Sequence, residues 1–128
     1  MEIFFDTHVF LWWILEDDRI SDRAAQLISN GRNRLYWSAA SSWEVTIKYS
    51  LGKLNLPEKP EKFFPAQFLQ NQIYSLPVND THAFKVGTLP MHHKDPFDRL
   101  LIAQSMVENI TLLSDDQYLH LYDVNIIQ

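Results

Sequence analysis

The chain contains no cysteine, which excludes both a disulfide framework and a thiolate metal site. A basic leader and a long unbroken apolar run are missing as well. The opening stretch, MEIFFDTHVFLWWILEDD, carries an acid at position 2 and is interrupted by Asp6 and His8. Neither a signal peptide nor a membrane span is expected from it, and the expected setting is intracellular and cytoplasmic. Excess positive charge is also lacking. The net charge of −5 argues against a passive nucleic-acid binder, which would present a basic face. An enzyme acting on nucleic acid is still allowed, because acids gathered around divalent cations change the sign of the local field once the ions bind. The sequence shows no internal repeat, low-complexity tract, linker or DNA-binding motif.

What is present is a globular mixture. With 46% hydrophobic and 21% charged residues the chain is not a disordered one. Its 128 residues suit a single domain, residues 1–128, with a substantial core.

The expected elements alternate. Residues 2–6, EIFFD, form an apolar strand that Asp6 ends, running into a helix over 7–16. A second helix over 21–31 takes Ser21 as cap and Gly31 as stop. Residues 34–38 form a second strand, and Ser41 opens a helix that ends near Gly52. A proline-containing loop follows over 54–60, then a helix over 61–71 with Phe63, Phe64 and Phe68 on its apolar face. Next come a strand over 73–78, a helix from Asn79 or Asp80 to Leu89, and a break at Pro90. After the central helix, a strand over 111–114, a short helix over 115–121 and a strand over 123–127 close the chain. Strands alternating with helices point to an α/β domain built on a mostly parallel sheet.

The central stretch is HHKDPFDRLLIAQSMV, residues 92–107, with the central helix starting at Pro96. Pro96 suits a first helical turn, Asp95 before it is a good N-cap, and Asp98 falls in that first turn. The run from Leu100 to Ala103, with Met106 and Val107, is apolar on nearly every face, so this helix should be buried.

The carboxylates carry the information. Asp6 ends the first strand, Glu44 lies in the first turn of the helix after the second, and Asp98 opens the central helix. Asp115 and Asp116 follow the strand TLLS. In an open parallel sheet, strand C-termini and the following helix N-termini converge on one edge, so these acids should meet in one cleft. Several also read as caps: Ser41-x-x-Glu44 fits a capping box, Asp95-x-x-Asp98 resembles one, and Asp115 could cap the last helix. Asp6 is the hardest to explain so. Clustered carboxylates need a neutralising charge, and oxygen ligands without cysteine suit Mg²⁺ or Mn²⁺.

Taken in order, the sequence shows Asp6-Thr7-His8, then Ser38 to Glu44 with Lys48 and Gly52-Lys53-Leu54. Leu89-Pro90, His93, Asp95 to Arg99 with Ala103-Gln104, and Leu113 to Asp116 complete the set. The set resembles the PIN-domain ribonucleases, in particular the toxin subunits of VapBC-type toxin–antitoxin pairs, from about Glu2 to Ile127. That resemblance implies a PIN-like α/β/α sandwich and a Mg²⁺- or Mn²⁺-dependent endoribonuclease. It also implies inhibition by a cognate antitoxin and an apolar surface for a homodimer and an antitoxin segment. Carried over by position, Asp6, Glu44, Asp98 and Asp116 form the acidic quartet that holds metal, with Thr7, Asp115 and Arg99 as auxiliaries. The family usually has Thr where Ser114 stands and rarely an acid where Asp115 stands. The fourth acid is therefore Asp116, alone or sharing the role with Asp115.

Other residues are weighed the same way. His92 and His93, adjacent on an extended segment, should point apart and serve as scaffold. His8 and His82 are expected as satisfied partners in helices. Arg99, Lys94, Lys48 and Lys53 are possible phosphate contacts, and most of the four tryptophans should be core. A receiver domain would need an acid pair after its first strand, and a haloacid-dehalogenase-type phosphatase an Asp where His8 stands. A DNA-directed or structure-specific nuclease, and a binding module without catalysis, are the remaining alternatives.

Overall fold

In the computed structural model, residues 1–127 are described. Five strands form one sheet: β1 (Glu2–Phe5), β2 (Arg34–Ser38), β3 (Ile73–Leu76), β4 (Thr111–Leu113) and β5 (Ile126–Ile127). Their order is β3-β2-β1-β4-β5, and every described pairing is parallel. Six α-helices connect them: α1 (Thr7–Ile14), α2 (Asp22–Ser29), α3 (Ala39–Ser50), α4 (Pro60–Asn71), α5 (Asp80–Val86) and α6 (Pro96–Glu108).

Strand side chains point alternately to the two faces, and the core divides accordingly. Ile3, Phe5, Leu35, Trp37 and Leu113 pack beneath α1 to α4 with Val9, Phe10, Val45, Phe63 and Phe64. Phe4 and Leu112 face the other way, onto Leu101, Ile102 and Ala103 of α6. The result is a three-layer α/β/α sandwich, as the alternation of elements implied. Phe63, Phe64 and Phe68 do join the core face; Trp37 is fully buried, Trp12 and Trp13 partly, and Trp43 is exposed.

The chain winds one way from β1 through β2 to β3, then returns to lay β4 and β5 on the other side of β1. β1 is therefore the switch point, and in such sheets ligands bind beyond the strand C-termini there.

Several boundaries differ from the sequence reading. α3 starts at Ala39 with Ser38 as its cap, donating its hydroxyl to Gln104 while accepting from Ala40 N–H. Ser41 is thus inside the helix, the Ser41–Glu44 capping box does not form, and Glu44 falls in the second turn. β3 stops at Leu76 because Pro77 offers no N–H. α5 stops at Val86, after which the carbonyls of Val86, Leu89 and Pro90 are taken by Arg99. The helix expected over 115–121 is reduced to one 3₁₀ turn, Leu119–Leu121. Side chains claim the backbone donors there: Ser114 Oγ accepts from Asp116 N–H and Asp116 Oδ1 from Tyr118 N–H.

Candidate active site

Asp6 sits immediately beyond β1, buried, its N–H donating to the Leu113 carbonyl of β4. Its carboxylate is fixed at both oxygens: Oδ1 accepts from His8 N–H at 2.9 Å and Oδ2 from the Ser114 hydroxyl at 2.6 Å. Burial pushes its pKa up, but these bonds and the adjacent His8 ring outweigh it, and the pKa is lowered. His8, half-exposed with its Nδ1 3.6 Å from Asp6, is in turn raised by that hydrogen bond.

Glu44 is buried on α3. Lys48, one turn on, donates to Oε2 at 3.0 Å, while Oε1 is buried with no partner. An unpaired buried carboxylate oxygen is costly. Asp98, 7% exposed, stands in the first turn of α6 behind the Asp95 cap, whose Oδ1 accepts from the N–H groups of Phe97 and Asp98. Burial, then the charges of Asp6, Asp95, Glu44 and Asp116, push its pKa up to about 8. Acids from four separated segments therefore act on one another, as anticipated. At neutral pH the cluster takes up a proton or a cation.

Asp116 completes the group from the loop after β4. His93 bridges it to Asp98: Nε2 lies 3.1 Å from Asp98 Oδ2 and 3.5 Å from Asp116 Oδ2. One ligand atom from each of His93, Asp98 and Asp116 lies within 4.8 Å of the others. Asp115 is exposed at the rim, its pKa raised by desolvation and then by the charge of Asp6. The histidines do point apart, His92 packing against Tyr122 and His93 against Tyr118. The scaffold role expected for His93 takes a specific form, because its ring reaches the acids. A clue was available in the two flanking prolines: they favour an extended approach to α6, from which a residue two before the cap can fold back over the first turn.

Two auxiliaries are engaged by other partners. Thr7 is buried and its hydroxyl hydrogen-bonds Ser41 Oγ at 2.7 Å, tying α1 to α3. Arg99, 8% exposed, turns away from the acids and donates to the carbonyls of Pro90, Val86 and Leu89 and to Tyr122 Oη. The expectation that Arg99 contacts phosphate gives way, since successive helical residues point about 100° apart. Lys48 is engaged by Glu44, and an exposed aromatic, Trp43, lies edge-on to Phe97 with ring centroids 5.3 Å apart. The pair joins α3 to α6, the two helices that carry Glu44 and Asp98.

The residues present suit a hard divalent cation. Buried carboxylates crowd together, one oxygen of Glu44 is left over, and Asp98 is held in its neutral form. No helix among the described residues is long and apolar enough to cross a membrane.

Comparison with known proteins bears on the family and the fold. The sequence pattern of the PIN domain matches residues 3–125. Ribonuclease VapC16 of Mycobacterium tuberculosis (strain ATCC 25618 / H37Rv) is 34% identical over 68 residues, 53% of this chain. That match spans about half (48%) of the relative's length. Among solved structures, VapBC2 from Rickettsia felis bound to a DNA fragment from their promoter superposes with TM-score 0.70 and 16% identity, covering 99% of this chain and 98% of that one. VapBC-1 from nontypeable Haemophilus influenzae gives TM-score 0.65 and 20% identity, covering 100% and 98%. At these identities the two structures speak for the fold.

Proposed function

The chain belongs to the PIN-domain family, and from that premise we propose that it is a divalent-cation-dependent endoribonuclease acting as the toxin of a toxin–antitoxin pair. The observation that carries the reading is the state of Asp98. Its carboxyl is pushed up to about 8 by burial and by four neighbouring acids, an arrangement that a cation relieves. The relative named as a ribonuclease and the VapBC neighbours support the substrate class and an antitoxin partner.

In this reading Asp6 and Asp98 hold the principal cation, Mg²⁺ or Mn²⁺, with Glu44 supplying its free oxygen. Asp116 positions a second ion or the attacking water. A bound cation supplies Lewis-acid polarisation of the phosphoryl oxygen and a lowered pKa for water. The protein's own groups do the rest. His8 and Ser114 fix the two oxygens of Asp6, so that it needs no reorientation when substrate arrives. The bond broken is the phosphodiester P–O to the leaving ribose oxygen, displaced in line by water. Trp43, edge-on to Phe97, offers an aromatic face on which an unstacked base can lie, which favours single-stranded segments of the RNA. A homodimer, an antitoxin segment on the apolar surface and a cytoplasmic setting complete the proposal.

The test is cleavage of a labelled structured RNA and a matched DNA by purified protein with Mg²⁺, with Mn²⁺ and with EDTA. Asp6→Asn protein prepared identically controls for contaminating nuclease. RNA cleavage lost in EDTA and in the variant is expected. Cleavage of DNA instead, or of RNA equally in EDTA, would overturn it.

A further inference from the structure

We propose that His93 is a positioning residue of the acidic centre: its Nε2–H bridges the carboxylates of Asp98 and Asp116 and orients both toward the cation, without itself being a ligand. The proposal rests on the cation-dependent reading above. Distance alone would permit either role, because the three groups are close enough to share an ion. The other ring nitrogen separates the two roles.

His93 Nδ1 lies 3.0 Å from the backbone nitrogen of Asp95, in hydrogen-bond geometry. A backbone N–H can only donate, so Nδ1 must present its lone pair. A doubly protonated ring has no lone pair for that bond. The neutral ring therefore carries its single hydrogen on Nε2, the atom facing Asp98 and Asp116. A nitrogen that holds a hydrogen donates to carboxylate oxygen and has no lone pair for a metal.

The ring is also held from behind. The backbone N–H of His93 donates to Tyr122 Oη at 2.9 Å, and Tyr122 Oη accepts from Arg99 Nη1 at 3.2 Å. The Tyr118 ring meets the imidazole at a centroid separation of 5.4 Å in an edge arrangement. Arg99 gathers the carbonyls of the segment leading to His93, so loop, ring and helix start are bound as one unit. A single donor thereby joins two acids that arrive from segments far apart in the chain. His93 thus meets Oδ2 of each acid, while Oδ1 of Asp116 accepts from Tyr118 N–H, so Asp116 is held at both oxygens and Asp98 keeps Oδ1 for the ion. Partners of this kind, one bond removed from the metal, commonly change metal affinity by about 10–100-fold.

The experiment uses the full chain and Mn²⁺ as probe. Mn²⁺ affinity is measured by calorimetry for wild type, His93→Leu and His93→Gln, and the loaded wild-type protein is examined by electron spin-echo envelope modulation for a coordinated nitrogen. Melting in EDTA checks that each variant folds. The expected result is no directly coordinated nitrogen in wild type, about 10–100-fold weaker Mn²⁺ binding in His93→Leu, and recovery of most of that loss in His93→Gln, whose amide N–H reaches the same place. A nitrogen coupling typical of bound imidazole would make His93 a ligand and overturn the proposal, and that spectrum needs no variant. Unchanged affinity in a folded His93→Leu would overturn it equally. Failure of wild type to bind Mn²⁺ at all would defeat the cation reading itself, a different outcome from either.

Discussion

Ser114 donates its hydroxyl hydrogen to Asp6 Oδ2 at 2.6 Å, joining the residue just after β1 to the one just after β4. Ser114 Oγ itself accepts from Asp116 N–H at 3.1 Å, so one hydroxyl sets two members of the acidic group. Ser114 is 1% exposed, so the bond is closed to bulk solvent.

Ser114→Ala should therefore cost about 1–3 kcal/mol, the penalty of a buried acceptor left unpaired. Ser114→Thr, which keeps the hydroxyl, should cost less. The loss has a pH signature. Asp6 has a pKa below its unfolded value of 3.8, so its contribution is present above that pH and fades as pH falls through the folded value. The difference between wild type and Ser114→Ala should shrink toward acid, measured by urea denaturation across the acid range. A gap independent of pH would contradict the account.

Asp98 behaves in the opposite sense. Its folded pKa of about 8 lies above the unfolded value of 3.8, so the folded chain binds the extra proton between those limits. Stability of the metal-free protein from this group is full below the unfolded value and is lost as pH rises through about 8. Asp98→Asn removes the titration. In EDTA the variant should melt higher than wild type above about pH 8 and converge with it toward acid, followed by scanning calorimetry. Adding Mg²⁺ at neutral pH should raise the wild-type melting temperature more than that of the variant.

Sequence and structure agree most closely where periodicity decides the element. The apolar strands EIFF and RLYWS, the cap at Asp95 and the convergence of acids at the sheet edge all follow from local pattern plus the geometry of a parallel sheet. The start of α3 does not. The run Ser38-Ala-Ala-Ser41-Ser offers competing caps, and Ser38 prevails because Gln104 from α6 meets it, a contact no local window contains. The segment after β4 was read as helical although side-chain turns at Ser114 and Asp116 consume its first donors. The contacts of His93 and Arg99 escape the local pattern for a related reason. Their roles depend on which way a loop folds back over a helix start.

Arg99 gives that loop its shape. Its guanidinium is buried, its recorded partners are backbone carbonyls and the Tyr122 hydroxyl, and no carboxylate is among them. Lysine keeps the charge but not the planar fork that reaches several carbonyls at once. Arg99→Lys should cost roughly 1.5–3 kcal/mol, the range for hydrogen bonds to a charged group. Hydrogen exchange should quicken across residues 87–94 before it does in β1 or β4, and Mn²⁺ should bind more weakly because His93 is no longer held. Exchange that quickens uniformly would mean a loss of global stability only.

Trp43 separates binding from folding. It is 64% exposed, so truncation removes little core and Trp43→Ala should change stability by no more than about 0.5 kcal/mol. On the ribonuclease reading its loss removes a stacking face on α3, the helix that carries Glu44. A stacked base is worth about 1–3 kcal/mol, which converts to a rise of about five- to 150-fold in KM. The rate at saturation should hold, because Trp43 touches none of the groups that hold the cation or the attacking water. Trp43→Phe preserves a ring and should recover most of the affinity. The contrast is measured with single-stranded RNA and with the same strand carrying an abasic nucleotide. If the base that stacks is the one removed, Trp43→Ala and wild type should bind the abasic strand alike. A Trp43→Ala protein that instead loses kcat at unchanged KM would place the ring in the alignment of the acids through Phe97 and α6, and not in contact with the substrate.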